Sequence, residues 1–282
     1  MSLISVIIPC YNRANIISVA IESVINQTFQ EWELIIVDDG STDNSKDIIF
    51  SFLTDVRIKY FYQENNGVSA ARNYGVSKSN GDYVVFLDTD DYFYPHALIS
   101  YQKEILKNKE LQLCFAKFFS ENRVQGLNRN YELFGSFSIS NIPGSFCFNK
   151  VFFQKIGGYI EGSTHSENYE LIIRAINSPF FNQKTATIEE PVFYYYQWKN
   201  SEKIVLNKRN KIISYTLFFN RCEKKTFLAA FYSHQIALNY AGLGYFKDTI
   251  KWSIVSIKQS NSRYKYYFKP ILIYFKRKII NY

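Results

Sequence analysis

Residues 83–91 read Tyr-Val-Val-Phe-Leu-Asp-Thr-Asp-Asp. Four of the first five are β-branched or aromatic, and the run then breaks into three carboxylates within four positions. An apolar run without polar alternation is a strand buried on both faces, as in a parallel sheet covered by helices. The stretches upstream repeat the pattern. Leu3–Ile8 and Leu34–Val37 are continuous apolar runs, and Ile58–Tyr62 is a third strand. Between them, Ile16, Ile17, Ala20, Ile21, Val24 and Ile25 make a helical stripe within Ala14–Phe29. Ser41 or Thr42 is placed to cap a helix over Asp43–Leu53, and Val68–Ser77 reads as a further helix. The order β-α-β-α-β-α-β predicts an α/β fold with a mostly parallel sheet and helices on both faces. Ligands of such sheets bind beyond the carboxyl ends of the strands. Those ends are Pro9-Cys10-Tyr11-Asn12, Asp38-Asp39-Gly40 and Asp88-Thr89-Asp90-Asp91.

Further along, a helix is expected from Pro95 to about Lys109 and a strand over Leu111–Phe119. Residues 120–145 look loop-rich, Glu167–Ile176 helical, and Val192–Tyr196 a strand. After Lys199 the strands give out, and Leu206–Asn220, Phe227–Ala241 and Phe246–Lys258 read as amphipathic helices. Ala237–Phe246 looks like one helical-hairpin turn with no second copy. Two domains are therefore expected: residues 1–200 carrying the sheet, and residues 201–282, helical, basic and aromatic-rich.

Of the 282 residues 47% are hydrophobic and 21% charged, which excludes wholesale disorder. The net charge of +8 is unevenly spread. Up to Trp198 there are 16 Lys+Arg against 22 Asp+Glu, and from Lys199 onward 17 against 3. Such a tail points to a polyanion. Arg263–Ile280 interleaves cations with aromatic and aliphatic residues, which suits an anionic membrane surface better than nucleic acid, for which no binding motif is present. Cys10, Cys114, Cys147 and Cys222 have no metal-like spacing and read as buried free thiols. The chain runs into Ser5-Val6-Ile7-Ile8 without a leader pattern, and no run is long and apolar enough to span a bilayer. The expected location is cytoplasmic, with peripheral association at the inner face of the cell membrane through the basic region.

Three clusters carry the chemistry. The carboxylates of Asp88, Asp90 and Asp91 repel one another, a penalty that a divalent cation removes; oxygen-only ligation suits Mg2+ or Mn2+ shared with phosphates. An exposed acidic turn capping the next helix is the other reading. Asp39 can accept from a base N–H or ribose hydroxyls, with Pro9 and Tyr11 beside it, or Asp39-Gly40 can be a simple turn. Arg72, in Asn65-Asn66-Gly67-Val68-Ser69-Ala70-Ala71-Arg72-Asn73, can reach a diphosphate or pair with an acidic loop.

Taken together and in order, Ser5–Arg13, Val37–Asp43, Gly67–Gly75 and Leu87–Asp91 resemble the family 2 glycosyltransferases over about residues 3–200. The resemblance implies a Rossmann-like GT-A fold, a nucleotide-diphosphate sugar donor (UDP-sugar being favoured), and Mn2+ or Mg2+ held through a DxD motif, here Asp88 and Asp90. It implies hexosyl transfer with inversion, to a glycan or polyprenyl-linked acceptor of surface polysaccharide synthesis. By the same analogy Pro9, Tyr11 and Asp39 hold the nucleoside and Arg72 assists the diphosphate.

In that family the acceptor's base is usually the Asp of a Glu-Asp pair opening a helix. The matching stretch is Ser166-Glu167-Asn168-Tyr169-Glu170, with Asn168 where the Asp is expected. An amide cannot accept a proton at neutral pH. Glu167 can serve as base, the chain can be a weak or inactive transferase, or an acidic group of the acceptor or His165 can act. His165 also reads as an exposed loop residue. The rival function is a non-catalytic scaffold that binds nucleotide-sugar or glycan.

Overall fold

The computed structural model describes residues 2–120, 123–125, 142–195, 203–224 and 226–259. The basic segment Arg263–Ile280 and most of the loop-rich stretch 120–145 lie outside them. The chain forms two compact units, Met1–Glu161 with Leu171–Trp198, and Gly162–Glu170 with Lys199–Tyr282.

The first unit is built on one sheet. Strands β1 (Ile4–Cys10), β2 (Trp32–Asp39), β3 (Ile58–Gln63) and β4 (Tyr83–Phe86) form its parallel half. The other half contains β5 (Tyr92–Phe93), β6 (Leu113–Ser120), β7 (Arg123–Gln125), β8 (Phe146–Asn149) and β9 (Thr185–Tyr194). The order is β3-β2-β1-β4-β8-β6-β9-β5, with β7 on β6. β8 enters antiparallel to both β4 and β6, and β9 runs parallel to β6.

Both sheet faces are covered, which is why β1, β2 and β4 carry no polar alternation. Val6, Ile8, Leu34, Ile36 and Val85 join a core with α1 (Ile17–Ile25), α2 (Ser45–Phe50) and α4 (Ala97–Lys107). On the opposite face α3 (Val68–Lys78) lies on β1 and β2. A Cβ on Gly75 would come within 2.5 Å of Ile7 Cγ2, so the close seat of α3 needs glycine there. Phe153 of α5 (Lys150–Lys155) packs on Phe86 at 5.7 Å on this side. Asn149 caps α5, accepting from Phe152 N–H at 3.0 Å.

In the second unit α7 (Lys203–Arg221) packs on α8 (Phe227–Leu243), and α8 on α9 (Phe246–Gln259). The hairpin read at Ala237–Phe246 is the α8–α9 turn. α9 lays Thr249, Ser253 and Ser256 inward, and Ser256 Oγ donates to the Ala230 carbonyl at 3.0 Å. Small side chains at this spacing let two helices approach closely. Among the described residues no helix is long and apolar enough to cross a membrane. The four cysteines are free, three of them buried and Cys222 half-buried.

Candidate active site

The sheet order brings the carboxyl ends of β2, β1 and β4 side by side, with Cys10 opposite Asp38 and Ile7 opposite Phe86. Pro9 is the penultimate residue of β1, and Tyr11, just beyond it, is 45% exposed. The loops after β1 and β2 are laced together. Asn12 takes a positive φ of 53°, its amide oxygen accepts from Thr42 N–H at 2.8 Å, and its own N–H donates to Ser41 Oγ at 3.0 Å. The Arg13 N–H donates to Ser45 Oγ at 2.8 Å. Ser41 is therefore committed to the β1 loop and does not cap α2, which starts at Ser45 rather than at Asp43. The Asp43 carboxylate accepts the Ser45 N–H at 2.9 Å in its place.

Asp38 and Asp39 are both buried and face different partners. Asp38 accepts from Ser41 N–H at 2.8 Å and from the Tyr60 hydroxyl at 2.9 Å. Burial, and then that bond, push the Tyr60 hydroxyl well up. Burial likewise pushes the Cys10 thiol up to about 11. Asp39 accepts from Gln63 Nε2 at 2.6 Å and from the N–H groups of Asn66 and Gly67, each at 2.9 Å. The carboxylate thus anchors the loop that leads into α3. On the Asp38 side a cavity of about 480 Å3 is lined by Asp38, Ser41, Lys46, Tyr60 and Tyr62, among others.

Arg72, one and a half turns into α3, is 2% exposed, and its Nη2 donates to Asp88 Oδ1 at 2.7 Å. Asp88–Asp91 form a turn closed by the Asp91 N–H to the Asp88 carbonyl at 3.2 Å. Ligand oxygens of Asp88, Asp90 and Asp91 lie within 4.8 Å of one another. A hard, oxygen-only set of this size fits Mg2+ or Mn2+. Asp91, outside the DxD pair itself, is the most buried of the three at 1%. Tyr195 stands beside them. β5 pairs with β9 with Tyr92 opposite Tyr194, so the next step outward brings Tyr195 level with Asp91. Burial first, and then the charges of Asp91, Asp88 and Asp90, push the Tyr195 hydroxyl up. Nothing in the local sequence marks this tyrosine.

Glu167 and Asn168 open α6 (Glu167–Ile176) and belong to the second unit. Asn168 Nδ2 donates to Glu167 Oε1 at 3.3 Å. Glu170, fully buried, accepts from the Tyr232 hydroxyl at 2.8 Å. His165 is not an exposed loop residue. It is half-buried, with Nε2 3.1 Å from Asn207 Oδ1 and its N–H on Ser214 Oγ at 3.1 Å.

A parallel half-sheet with a three-carboxylate turn beyond its β4 end and a buried arginine beside that turn has the form of an α/β ligand site, and comparison identifies the family. The profile of Glycosyl transferase family 2 matches residues 5–165, more than half of the chain. The chain belongs to that family. An uncharacterized glycosyltransferase of Rickettsia bellii is 40% identical over 149 residues, covering 52% of this chain and 20% of the relative. The chain spans about a fifth of the length of such curated relatives. The crystal structure of S. aureus TarS 1–349 superposes with a TM-score of 0.68 at 17% identity, over 99% of this chain and 88% of that one. The same TarS segment in complex with UDP-GlcNAc gives 0.63 at 17%, over 96% and 79%. The mannosyltransferase PcManGT from Pyrobaculum calidifontis, in complex with GDP-Man and Mn2+, gives 0.60 at 13%, over 100% and 81%. The fold is GT-A.

Proposed function

We propose that the protein transfers a sugar, with inversion, from a nucleoside-diphosphate donor to a hydroxyl of a glycan or lipid-linked acceptor in surface polysaccharide synthesis. The observation that carries this reading is the buried Arg72 paired at 2.7 Å with Asp88, at the edge of a three-carboxylate cluster on the β4 end. Asp88, Asp90 and Asp91 would hold Mn2+ or Mg2+, which when bound supplies Lewis-acid neutralisation of the departing diphosphate. Arg72 adds a fixed positive charge at the same place without reorganisation cost. Pro9, Tyr11 and Asp39 line the nucleoside side, where Asp39 holds the α3 loop and so shapes the wall that meets the base. TarS with UDP-GlcNAc and PcManGT with GDP-Man and Mn2+ support this donor class, with UDP the first nucleotide to test.

Residues 1–200 are assigned the donor chemistry and residues 201–282 attachment to an anionic membrane surface. Lys247, Lys251, Ile254, Ile257 and Lys258 on α9 are exposed, a cationic and apolar stripe leading into the basic Arg263–Ile280 segment. Glu167 is assigned as base. Asn168 favours a second reading, a scaffold that binds nucleotide-sugar without turnover. A thermal-shift screen of UDP, GDP and dTDP with and without Mn2+, followed by product analysis over a donor panel, separates them. Mn2+-dependent binding with product supports transfer, binding without product supports the scaffold, and no binding removes both.

A further inference from the structure

Helix α3 gives two neighbouring side chains to two partners. Arg72 faces Asp88, while Asn73 faces the segment after α5. The Asn73 amide mimics a strand partner: its oxygen accepts from Tyr159 N–H at 2.9 Å, and its Nδ2 donates to the Tyr159 carbonyl at 2.9 Å and to Glu161 Oε1 at 3.1 Å. Gly158, at φ +58°, permits this approach, since a Cβ there would meet Asn73 Oδ1 at 2.7 Å. Arg174 secures the same turn from α6, donating to the carbonyls of Ile156 and Gly158. So held, the Tyr159 ring packs edge-on against Phe86 at 5.1 Å and faces the Arg72 guanidinium at 5.2 Å. Arg72 therefore lies between a carboxylate and an aromatic face, and is 2% exposed.

We propose that Asn73 and Tyr159 form a clasp that positions Arg72 for the donor diphosphate: Asn73 fixes the segment, and the Tyr159 ring keeps the guanidinium dry and aimed. This rests on the assignment of Arg72 to the diphosphate made above. A guanidinium over an aromatic face keeps favourable electrostatics without water, and its field on a nearby anion is then little screened. With the ring removed, water reaches the charge and the side chain gains rotamers. Tyr159 and Asn73 are positioning residues, and they act only through Arg72.

The test is calorimetric titration of the full chain, in Mn2+, with whichever of UDP, GDP and dTDP the unaltered protein binds best. Tyr159→Leu is expected to weaken binding about tenfold, Tyr159→Phe to restore it to within about twofold, and Asn73→Ala to weaken it several-fold. In an Arg72→Ala background neither Tyr159→Leu nor Asn73→Ala should weaken it further, a coupling that a merely structural role does not produce. Asn73→Ala removes no aromatic side chain, releases only the hold on the Tyr159 segment, and carries the same expectation should Tyr159→Leu not fold. Undiminished binding in both variants, or full loss persisting without Arg72, overturns the clasp alone. No binding of any of the three nucleotides by the unaltered chain overturns the functional reading, and the clasp with it.

Discussion

Arg72 Nη2 lies 2.7 Å from Asp88 Oδ1, yet the two side chains differ in access: the arginine is 2% exposed and the aspartate 31%. The cation is built into the protein, whereas Asp88, like Asp90, stays partly exposed and only Asp91 of the three is buried. Arg72 thus offsets part of the repulsion within the acidic turn while occupying one oxygen that a metal would use. Removing it has consequences of opposite sign. Arg72→Ala should bind bare Mn2+ about three- to tenfold more tightly, because a positive charge beside a ligand is gone. The same variant should bind Mn2+ with a nucleoside diphosphate at least about tenfold more weakly. Separate titrations of the two measure this, and changes in the same direction would contradict the assignment.

The acidic turn makes a second expectation. Mn2+ at about a hundredfold over its dissociation constant should raise the melting temperature by a few degrees. Asp90→Asn should lose that rise while folding normally, since Asp90 is only partly buried. Asp91→Asn should lose it too, with some loss of stability besides, as Asp91 is buried. A retained shift in Asp90→Asn would remove the carboxylates from metal binding. Chelation should abolish transfer, and Mn2+ should restore it.

The parallel half-sheet was readable because Val6–Ile8, Leu34–Val37 and Val84–Phe86 are buried on both faces, which leaves an unbroken apolar run in the sequence. The mixed half was harder. β5 is two residues long, β8 is four, and β9 carries Glu189, Glu190 and Pro191 where its pairing with β6 is irregular. Strands held by neighbours on both sides need no local signature of their own. At the acidic ends the sequence places Asp88, Asp90 and Asp91 after a buried strand, and the structure brings their oxygens within 4.8 Å of one another. Which oxygen does what was not: Ser41 is taken by Asn12, and Asp39 by Asn66 and Gly67, through contacts distant in sequence. Tyr159 and Tyr195 are two among 23 tyrosines, and only the fold separates them from the rest.

Far from the site, Glu33 ties the start of β4 to its neighbours. The carboxylate accepts from Ser5 Oγ and Lys59 Nζ, each at 2.7 Å, and from the N–H groups of Asn80 and Gly81. Burial raises its pKa, but the bonds from Lys59, Asn80 and Ser5 outweigh this and hold it below 4.5. A carboxyl lowered on folding stabilises the protein above its unfolded pKa, and the gain is lost as pH falls through the folded value. Glu33→Gln should cost on the order of 2 kcal/mol at pH 7. The gap to the unaltered chain should close as the pH is taken below 4.5, as urea melts over a pH series can show. A gap that stays constant into acid would mean that packing, not charge, is what Glu33 supplies.

The last expectation concerns the helix start at Glu167-Asn168. Asn168 donates to Glu167 at 3.3 Å, and an amide is too weak a base to take up a proton near neutrality, so Glu167 is the group of the pair that can take one. General bases contribute roughly 100- to 10,000-fold. Glu167→Gln should therefore lower kcat by at least about 100-fold with donor KM unchanged, because donor binding is assigned to the other acids. Asn168→Asp places a second carboxylate beside the first and should raise kcat about tenfold where the site is merely depleted of base. Two other patterns are informative. Unchanged turnover in both variants would move the base elsewhere, with His165 and the acceptor's own acidic group next in line. Absence of product in the parent that Asn168→Asp converts into turnover would identify a transferase fold that has kept donor binding and given up the chemistry.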